Sequence, residues 1–354
     1  MKKGYFHRVR ELTPTQFWIN NPTREEADLA IEHGATGCTL NPSYTQKMLD
    51  HPSEGAYALA ALDEVVGETG DDQEAAVLLQ RRLARPILDK FLPMYEHDPA
   101  RHGHVSLQGD PFEDEDTEAI LHQALGDRAL SPNVTVKVPC TAAGLKAMET
   151  LIRSGAPVNG TECFAYAQAI TFCELHERLR IEIVKGVPPV YLSHIAGIYD
   201  DYLKWHAGDR DVEVSKDALW QAGLAVSRKV YQLILDRPYR LTMIGGGARG
   251  LHHFTELVGA DAVVTINWKG TADELISSDA PVVSRVFNPV ARQVIDELLV
   301  KLPDFRRGWL PDGLVVEEYA EFGPVRLFRS GFVKSWSRVL EITAGRRSAQ
   351  VRAQ

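Results

Sequence analysis

Short apolar runs with a two-residue alternation recur along this chain, and segments with three-to-four-residue apolar spacing lie between them. The runs predict strands at 16–20, 37–40, 104–108, 134–139, 158–163, 189–195, 240–246 and 262–267. The segments between predict helices at 24–33, 42–50, 114–124, 142–154, 166–179, 199–206, 251–259 and 271–277. Strand alternating with helix is the signature of βαβ units and a parallel sheet. Eight such units point to an α/β fold closed into a (β/α)8 TIM barrel, with its site on the loops that follow the strands. An open doubly wound sheet is the competing architecture. Residues 54–94 read as inserted helices before the third strand, and 217–236 as a long helix before the seventh. Past residue 300 the pattern is mixed, with Pro303, Pro311 and Pro324 as breakers and an amphipathic stretch near 333–342. The expected organisation is a barrel catalytic domain over 1–300 and a C-terminal extension over 301–354, packed on the barrel or on a partner subunit of a homo-oligomer.

Composition narrows the functions. Of 354 residues, 39 are Lys or Arg and 48 are Asp or Glu, a net charge of −9. That balance argues against nucleic acid as a partner, which needs a clustered basic face. No stretch approaches the roughly 18 apolar residues of a membrane span. Met1 to Arg8 carries two lysines but no apolar run behind them, so no signal peptide is read and a cytoplasmic location is expected. Cys38, Cys140, Cys163 and Cys173 form no Cys-x-x-Cys pair and read as buried free thiols. His102-x-His104 and His252-His253 lack metal-ligand spacing, so neither a metal nor an organic cofactor is expected.

The fourth strand carries the sharpest chemistry. In Val134-Thr135-Val136-Lys137-Val138-Pro139 the three valines share the face toward the helices. Thr135, Lys137 and Pro139 then point into the barrel. Desolvation disfavours a lysine cation there, and a neutral amine in a cleft suits Schiff-base chemistry on a carbonyl. A lysine in a strand can equally lie at an edge or snorkel outward. The neighbourhood decides between these readings. Asn20, Asn41, Gln108, Thr161 and Ser193 all fall near predicted C-terminal strand ends, where barrel enzymes place their working groups.

These segments carry a resemblance. Cys38-Thr39-Leu40-Asn41-Pro42-Ser43 resembles the Thr-Asn-Pro-Ser segment of transaldolases and the related fructose-6-phosphate aldolases. Val136-Lys137-Val138-Pro139-Cys140-Thr141 is similar to their Schiff-base lysine segment, and Asn159-Gly160-Thr161 with Ala167-Gln168-Ala169 to the fifth-strand segment that follows. Order and spacing agree from about residue 16 to 277. The resemblance implies a (β/α)8 fold, class I aldol chemistry on a sugar or keto substrate, and a place in carbohydrate metabolism such as the pentose phosphate pathway. It implies that Lys137 forms the imine, that Asn41 binds the three-carbon ketone unit with Ser43 and Asn159 nearby, that Thr161 helps hold a water, and that Ser193 contacts substrate near the imine.

The departures are equally specific. Asn20 stands where transaldolases carry an aspartate, and an amide cannot take a proton at neutral pH. Gln108 stands where they carry a glutamate and is similar to the small aldolases. Asp110 is read as an exposed loop aspartate, with a substitute carboxylate as the alternative. Ile198 occupies the place of a phosphate-binding arginine, while Arg249 matches the second one. His194 is expected to face a helix as a core histidine, with a proton shuttle as the alternative. Gly245-Gly246-Gly247-Ala248-Arg249-Gly250 is literally G-x-G-x-x-G, but it comes too late in the chain for a dinucleotide fold. An anion site built from backbone N–H groups and a helix N-terminus is preferred there. The functional expectation is a transaldolase-like enzyme working through Lys137. The alternatives are an aldolase on an unphosphorylated substrate, another Schiff-base reaction, or a barrel that binds a sugar without turnover.

Overall fold

A computed structural model describes residues 4–353. Its strands are β1 (Gln16–Asn20), β2 (Ala35–Leu40), β3 (Val105–Gln108), β4 (Val134–Pro139), β5 (Val158–Cys163), β6 (Val190–His194), β7 (Thr242–Gly245) and β8 (Val263–Ile266). Each pairs in parallel with the next, and β1 pairs with β8, so the sheet closes on itself. Closure removes both edges and excludes the open sheet. The expected (β/α)8 barrel is therefore the fold, and β1, β4 and β5 have the bounds that the alternation predicts.

The two faces of the strands separate cleanly. Val134, Val136 and Val138 join the large core between barrel and helices. Trp18, Tyr191, Ile244 and Val263 form a second cluster inside the barrel. Gly37 makes room for that inner cluster, since a Cβ there would lie 2.4 Å from the Trp18 ring. Two residues further along, five of the strands present polar groups to the opening: Asn20, Thr39, Lys137, Ser193 and Thr265.

Caps fix the helices that follow the strands. Thr23 Oγ1 accepts from the Glu26 amide at 3.0 Å while the Glu26 carboxylate accepts from the Thr23 amide at 2.9 Å, a reciprocal box that starts Arg24–Glu32. Thr141 Oγ1 accepts from the Gly144 amide and starts Ala142–Arg153 directly after the lysine strand.

Several helices differ from the sequence reading. Tyr5–Leu12 forms a helix that the pattern did not predict. The insertion is two helices, Gly55–Glu68 and Asp72–His97, and the second runs through Pro86 and Pro93. The expected helix at 251–259 shrinks to His252–Thr255, and that at 271–277 begins as a π-turn at Trp268–Ala272. The tail contains Arg292–Lys301, Pro303–Trp309 and a 31-residue helix, Gly323–Ala353. Pro324 is no breaker: it lies in the first turn of that helix, where its lack of an N–H costs nothing. The long helix crosses the mouth of the barrel. Arg329 donates to the Pro111 carbonyl at 3.3 Å, and Arg347 donates to Asp72 at 2.7 Å and to the Thr69 carbonyl at 2.7 Å. All four cysteines are buried and free. No helix among the described residues is long and apolar enough to cross a membrane.

Candidate active site

A cavity of about 890 Å³ opens at the C-terminal end of the strands. Lys137 lies on its wall with Asn20, Asn41, Ser43, Ser193 and Arg249 from the sequence reading. The C-terminal helix closes one side with Leu327, Phe328 and Phe332, and the Phe332 ring lies 5.9 Å from Lys137 Nζ.

Lys137 is only 7% exposed, and its ammonium donates to Asn41 Oδ1. Burial lowers its pKa to about 8, against the opposing pull of the Glu162 and Asp114 carboxyls. About one molecule in ten then carries the free amine at pH 7, some hundreds of times more than for an ordinary lysine. A string of amides and hydroxyls holds this centre. Asn20 Oδ1 accepts from Asn41 Nδ2 at 3.0 Å and from Thr39 Oγ1 at 2.8 Å, while Asn20 Nδ2 donates to Asn267 Oδ1 at 2.9 Å. Thr39 and Thr265 hydroxyls meet at 2.8 Å. Asn21, in the left-handed region at φ 44, accepts the Asn41 amide on its side chain at 2.8 Å, and its Nδ2 reaches Ser43 Oγ at 3.4 Å. Asn20 is thus fixed by its neighbours and orients Asn41 toward the amine.

Gln108 and Thr161 sit beside this centre rather than on the cavity wall. Gln108 pairs in register with Lys137, and Thr161 with Pro139. Both are buried, and Gln108 Oε1 and Thr161 Oγ1 have no protein partner. Gln108 Nε2 donates at 3.0 Å to a residue the sequence reading passed over, Glu162. Alternation from Thr161 assigns Glu162 to the outer face of β5. The chain instead takes φ +57 at Glu162, and the pairing of β5 with β6 shifts between Gly160 and Cys163. Gln168, from the Ala-Gln-Ala segment, pins this bend by donating to the carbonyls of Glu162 at 3.1 Å and Cys140 at 3.0 Å. The only available signal was a lone acid in an otherwise uncharged strand. Burial holds the carboxyls of Glu162 and Asp114 above the ordinary range, and each raises the other's cost of ionisation.

Asp110 is not an exposed loop residue. It is 3% exposed, its carboxylate accepts from the Phe112 amide at 2.8 Å, and burial pushes its pKa up to about 6. The expectation failed because the carboxylate caps the turn Pro111–Glu113 and folds inward. With Asp114 it lines a small separate cleft that reaches Lys137.

Asn159 ties the interior together, accepting from Ser193 Oγ at 2.8 Å and donating to Ser106 Oγ at 2.9 Å. His194 is a core histidine, as the alternation predicts. Ser227 Oγ lies 2.7 Å from Nδ1 and the Phe164 carbonyl 3.3 Å from Nε2, and burial lowers its pKa to about 4. With Nε2–H donating to the carbonyl and Nδ1 accepting from the hydroxyl, the neutral ring has no free position for a shuttle.

The glycine-rich loop after β7 behaves differently from the expected anion site. The helix behind it has four residues, too short to focus a dipole on an anion. Gly197 instead lets the start of the helix Ala196–Asp209 touch this loop, since a Cβ on Gly197 would lie 2.1 Å from the Gly247 carbonyl. Arg249 lines the cavity, but its Nε pairs with Asp201 at 2.5 Å. Ile198, on the same wall, adds no charge. Among the described residues one group has metal-ligand types close together: Asp200, His252 and His253, with ligand atoms within 4.8 Å of one another. Asp200 already accepts from His253 at 2.9 Å and from the Gly223 amide at 2.7 Å, so these groups serve to join helices.

A parallel barrel holds a desolvated amine among amides and hydroxyls at its C-terminal mouth, and its sequence is that of a transaldolase/aldolase-type enzyme. Residues 17–300 match the family model described as transaldolase/fructose-6-phosphate aldolase, and the chain belongs to that family. It is 28% identical over 330 residues to a transaldolase of Thiobacillus denitrificans, covering 82% of this chain and 87% of that protein. It is 33% identical over 159 residues to transaldolase 1 of Streptomyces avermitilis and 29% identical over 159 residues to a transaldolase of Mycobacterium tuberculosis. These two matches span only 40% and 41% of those relatives. The resemblance drawn from the motifs is borne out at the level of family.

Proposed function

We propose that this enzyme makes or breaks a C–C bond in a ketose-type substrate through an imine on Lys137. The single observation that carries the reading is the buried Lys137 amine, lowered to about 8 and aimed at Asn41 in the barrel mouth. Its lone pair attacks the ketone carbon, an N–C bond forms, and the carbonyl oxygen takes a proton. Loss of that oxygen as water leaves an iminium. The C–C bond beyond the adjacent carbinol then breaks as the far hydroxyl gives up its proton to solvent water in the open cavity. The bonding pair moves into a C=C bond, the nitrogen becomes neutral, and an aldehyde departs. Capture of the enamine by a second aldehyde gives transaldolase turnover, and capture by a proton gives aldolase turnover.

The other site residues take roles consistent with their contacts. Asn41, with Ser43 close by, binds the three-carbon ketone unit. Ser193, held by Asn159, contacts it near the nitrogen. Asn20 hydrogen-bonds a substrate hydroxyl without taking its proton. Gln108 and Thr161 offer their unpartnered oxygens to a water. Ile198 and the Asp201-bound Arg249 favour an unphosphorylated ketose at the outer end of the cavity.

Borohydride trapping tests this. The protein is incubated with dihydroxyacetone, and separately with fructose 6-phosphate, then reduced and weighed intact beside Lys137→Ala. A donor-sized adduct on the wild type and none on the variant is expected. An unmodified wild type across both donors and a wider set of unphosphorylated ketoses overturns the reading.

A further inference from the structure

The reaction at Lys137 moves protons, and the groups nearest the amine cannot do that. Asn20, Asn41, Gln108 and Asn267 are amides, with no proton affinity near neutrality. Among the described residues, the carboxyls whose charge bears on Lys137 are Glu162 and Asp114. Glu162 is the one joined to the strands around the amine. Its Oε1 takes a hydrogen bond from Gln108 on β3, although Glu162 itself is on β5, so the contact spans β4, the strand that carries Lys137. The side chain is 1% exposed. It reaches this place on a backbone with a left-handed φ of 57, which side chains other than Asn, Asp and His rarely adopt. Burying a carboxyl and straining the backbone to turn it inward are two costs that an apolar residue on the outer face would avoid, and such coincidences cluster at working sites. Three buried oxygens have no protein partner: Glu162 Oε2, Oε1 of Gln108, which hydrogen-bonds Glu162, and Oγ1 of its chain neighbour Thr161. Together they offer an acid, an acceptor and a hydroxyl, a set that satisfies one water.

Resting on the Lys137 reading, we infer that Glu162 is the proton-transfer group of this site, acting through a water held with Gln108 and Thr161. As the acid, Glu162 passes its proton through that water to the hydroxyl of the carbinolamine on Lys137. The C–O bond breaks, water leaves with the bonding pair, and the nitrogen lone pair completes the C=N⁺ bond. The carboxylate left behind then takes the proton from the donor's α-carbon, whose electron pair forms the enamine double bond and neutralises the nitrogen. Glu162 ends protonated, as it began, so no outside base is consumed. The charged and titratable groups that face it are Lys137 from β4, Cys140 just after that strand and Asp114 from the loop after β3. Asp110 and Arg329 act on Asp114 in turn.

The experiment follows hydrogen–deuterium exchange at carbon in dihydroxyacetone by NMR in D2O, for wild type, Lys137→Ala, Glu162→Gln and the exchange variant Gln108→Glu/Glu162→Gln. Borohydride trapping runs on each. Loss of a general acid–base group costs typically 10²–10⁴-fold, so Glu162→Gln is expected to exchange at least about 100-fold more slowly at unchanged KM. Its pH–rate profile is expected to lose the limb near neutrality. Moving the carboxyl across to β3 in the double variant is expected to restore at least about tenfold of that loss, which lost packing alone would not do. Glu162→Gln within threefold of wild type, an unchanged pH profile, or a folded double variant no faster than Glu162→Gln each overturns the inference. Should Glu162→Gln fail to fold, the double variant decides. Should both fail, a wild-type profile that is flat through neutrality overturns it. A wild type that forms no adduct sinks the Lys137 reading itself, whereas an adduct with Glu162-independent exchange sinks only this one.

Discussion

The two ends of the barrel interior are built from the same eight strands and hold opposite contents. Toward the N-terminal ends, Trp18 and Tyr191 pack with ring centroids 5.2 Å apart, and Ile244 and Val263 fill the remaining space. His104 stacks on Trp18 there and lies 2.9 Å from Thr135 Oγ1. Two residues on along the same strands, the side chains become Asn20, Lys137, Ser193 and Thr265. The step between the layers is one period of the pleat. Labour is thus divided within single strands. One layer gains stability from apolar burial. The next gives up stability to hold an amine and a carboxyl away from water, which lowers the pKa of the first and raises that of the second.

The largest effect should come from replacing the amine. Lys137→Met is expected to abolish trapping and lower turnover by at least about 10⁴-fold, because the imine loses its buried amine. It should also stabilise the fold. The lysine's pKa is lowered from its ordinary value to about 8 on folding, so the unfolded chain binds the extra proton. The penalty is complete below pH 8 and fades as pH rises toward the ordinary lysine value. A gain of up to about 3 kcal/mol is thus expected below pH 8 and little of it at high pH, read from urea melts across that range. Equal or lower stability at every pH would show that the amine costs the fold nothing. The opposite layer should respond in reverse. Trp18 is wholly buried, and Trp18→Ala is expected to cost about 3–5 kcal/mol of stability. Its kcat per folded molecule, measured well below the melt, should stay within about threefold of wild type. A large loss of kcat in a folded Trp18→Ala would show that the two layers are mechanically coupled.

Most of this contrast was legible in the chain. The alternation in β4 put three valines outward and Lys137 inward, and closure of the barrel made every strand obey the same rule. Polar residues near strand ends located the mouth. What escaped was set by contacts between distant segments or by unusual backbone. Glu162 was passed over, since alternation from Thr161 turns it outward and period two has no way to register a left-handed φ within a strand. Asp110 looked exposed because a loop aspartate that caps its own turn has the same sequence as one in solvent. Pro324 reads as a breaker or as a helix start depending on whether helix follows it, and the weak pattern of the tail hid a helix of 31 residues. The depth of that helix over the site, with Phe332 facing the amine, depends on tertiary packing that no local period encodes.

The weakest response is expected at the outer rim, where the polar layer meets solvent. Asp201 and Arg249 are each 43% exposed at the side chain, and exposed pairs contribute little to stability. Asp201→Asn should therefore shift the melt by less than about 0.5 kcal/mol. It frees the guanidinium and removes a negative charge from the cavity wall. KM for fructose 6-phosphate is expected to fall by about three- to tenfold, with KM for an unphosphorylated ketose unchanged and the difference shrinking at high salt. Equal shifts in both KM values would mean that Arg249 does not face the outer end of the substrate. An unchanged KM for both would place the limit at Ile198, where no charge exists to be released.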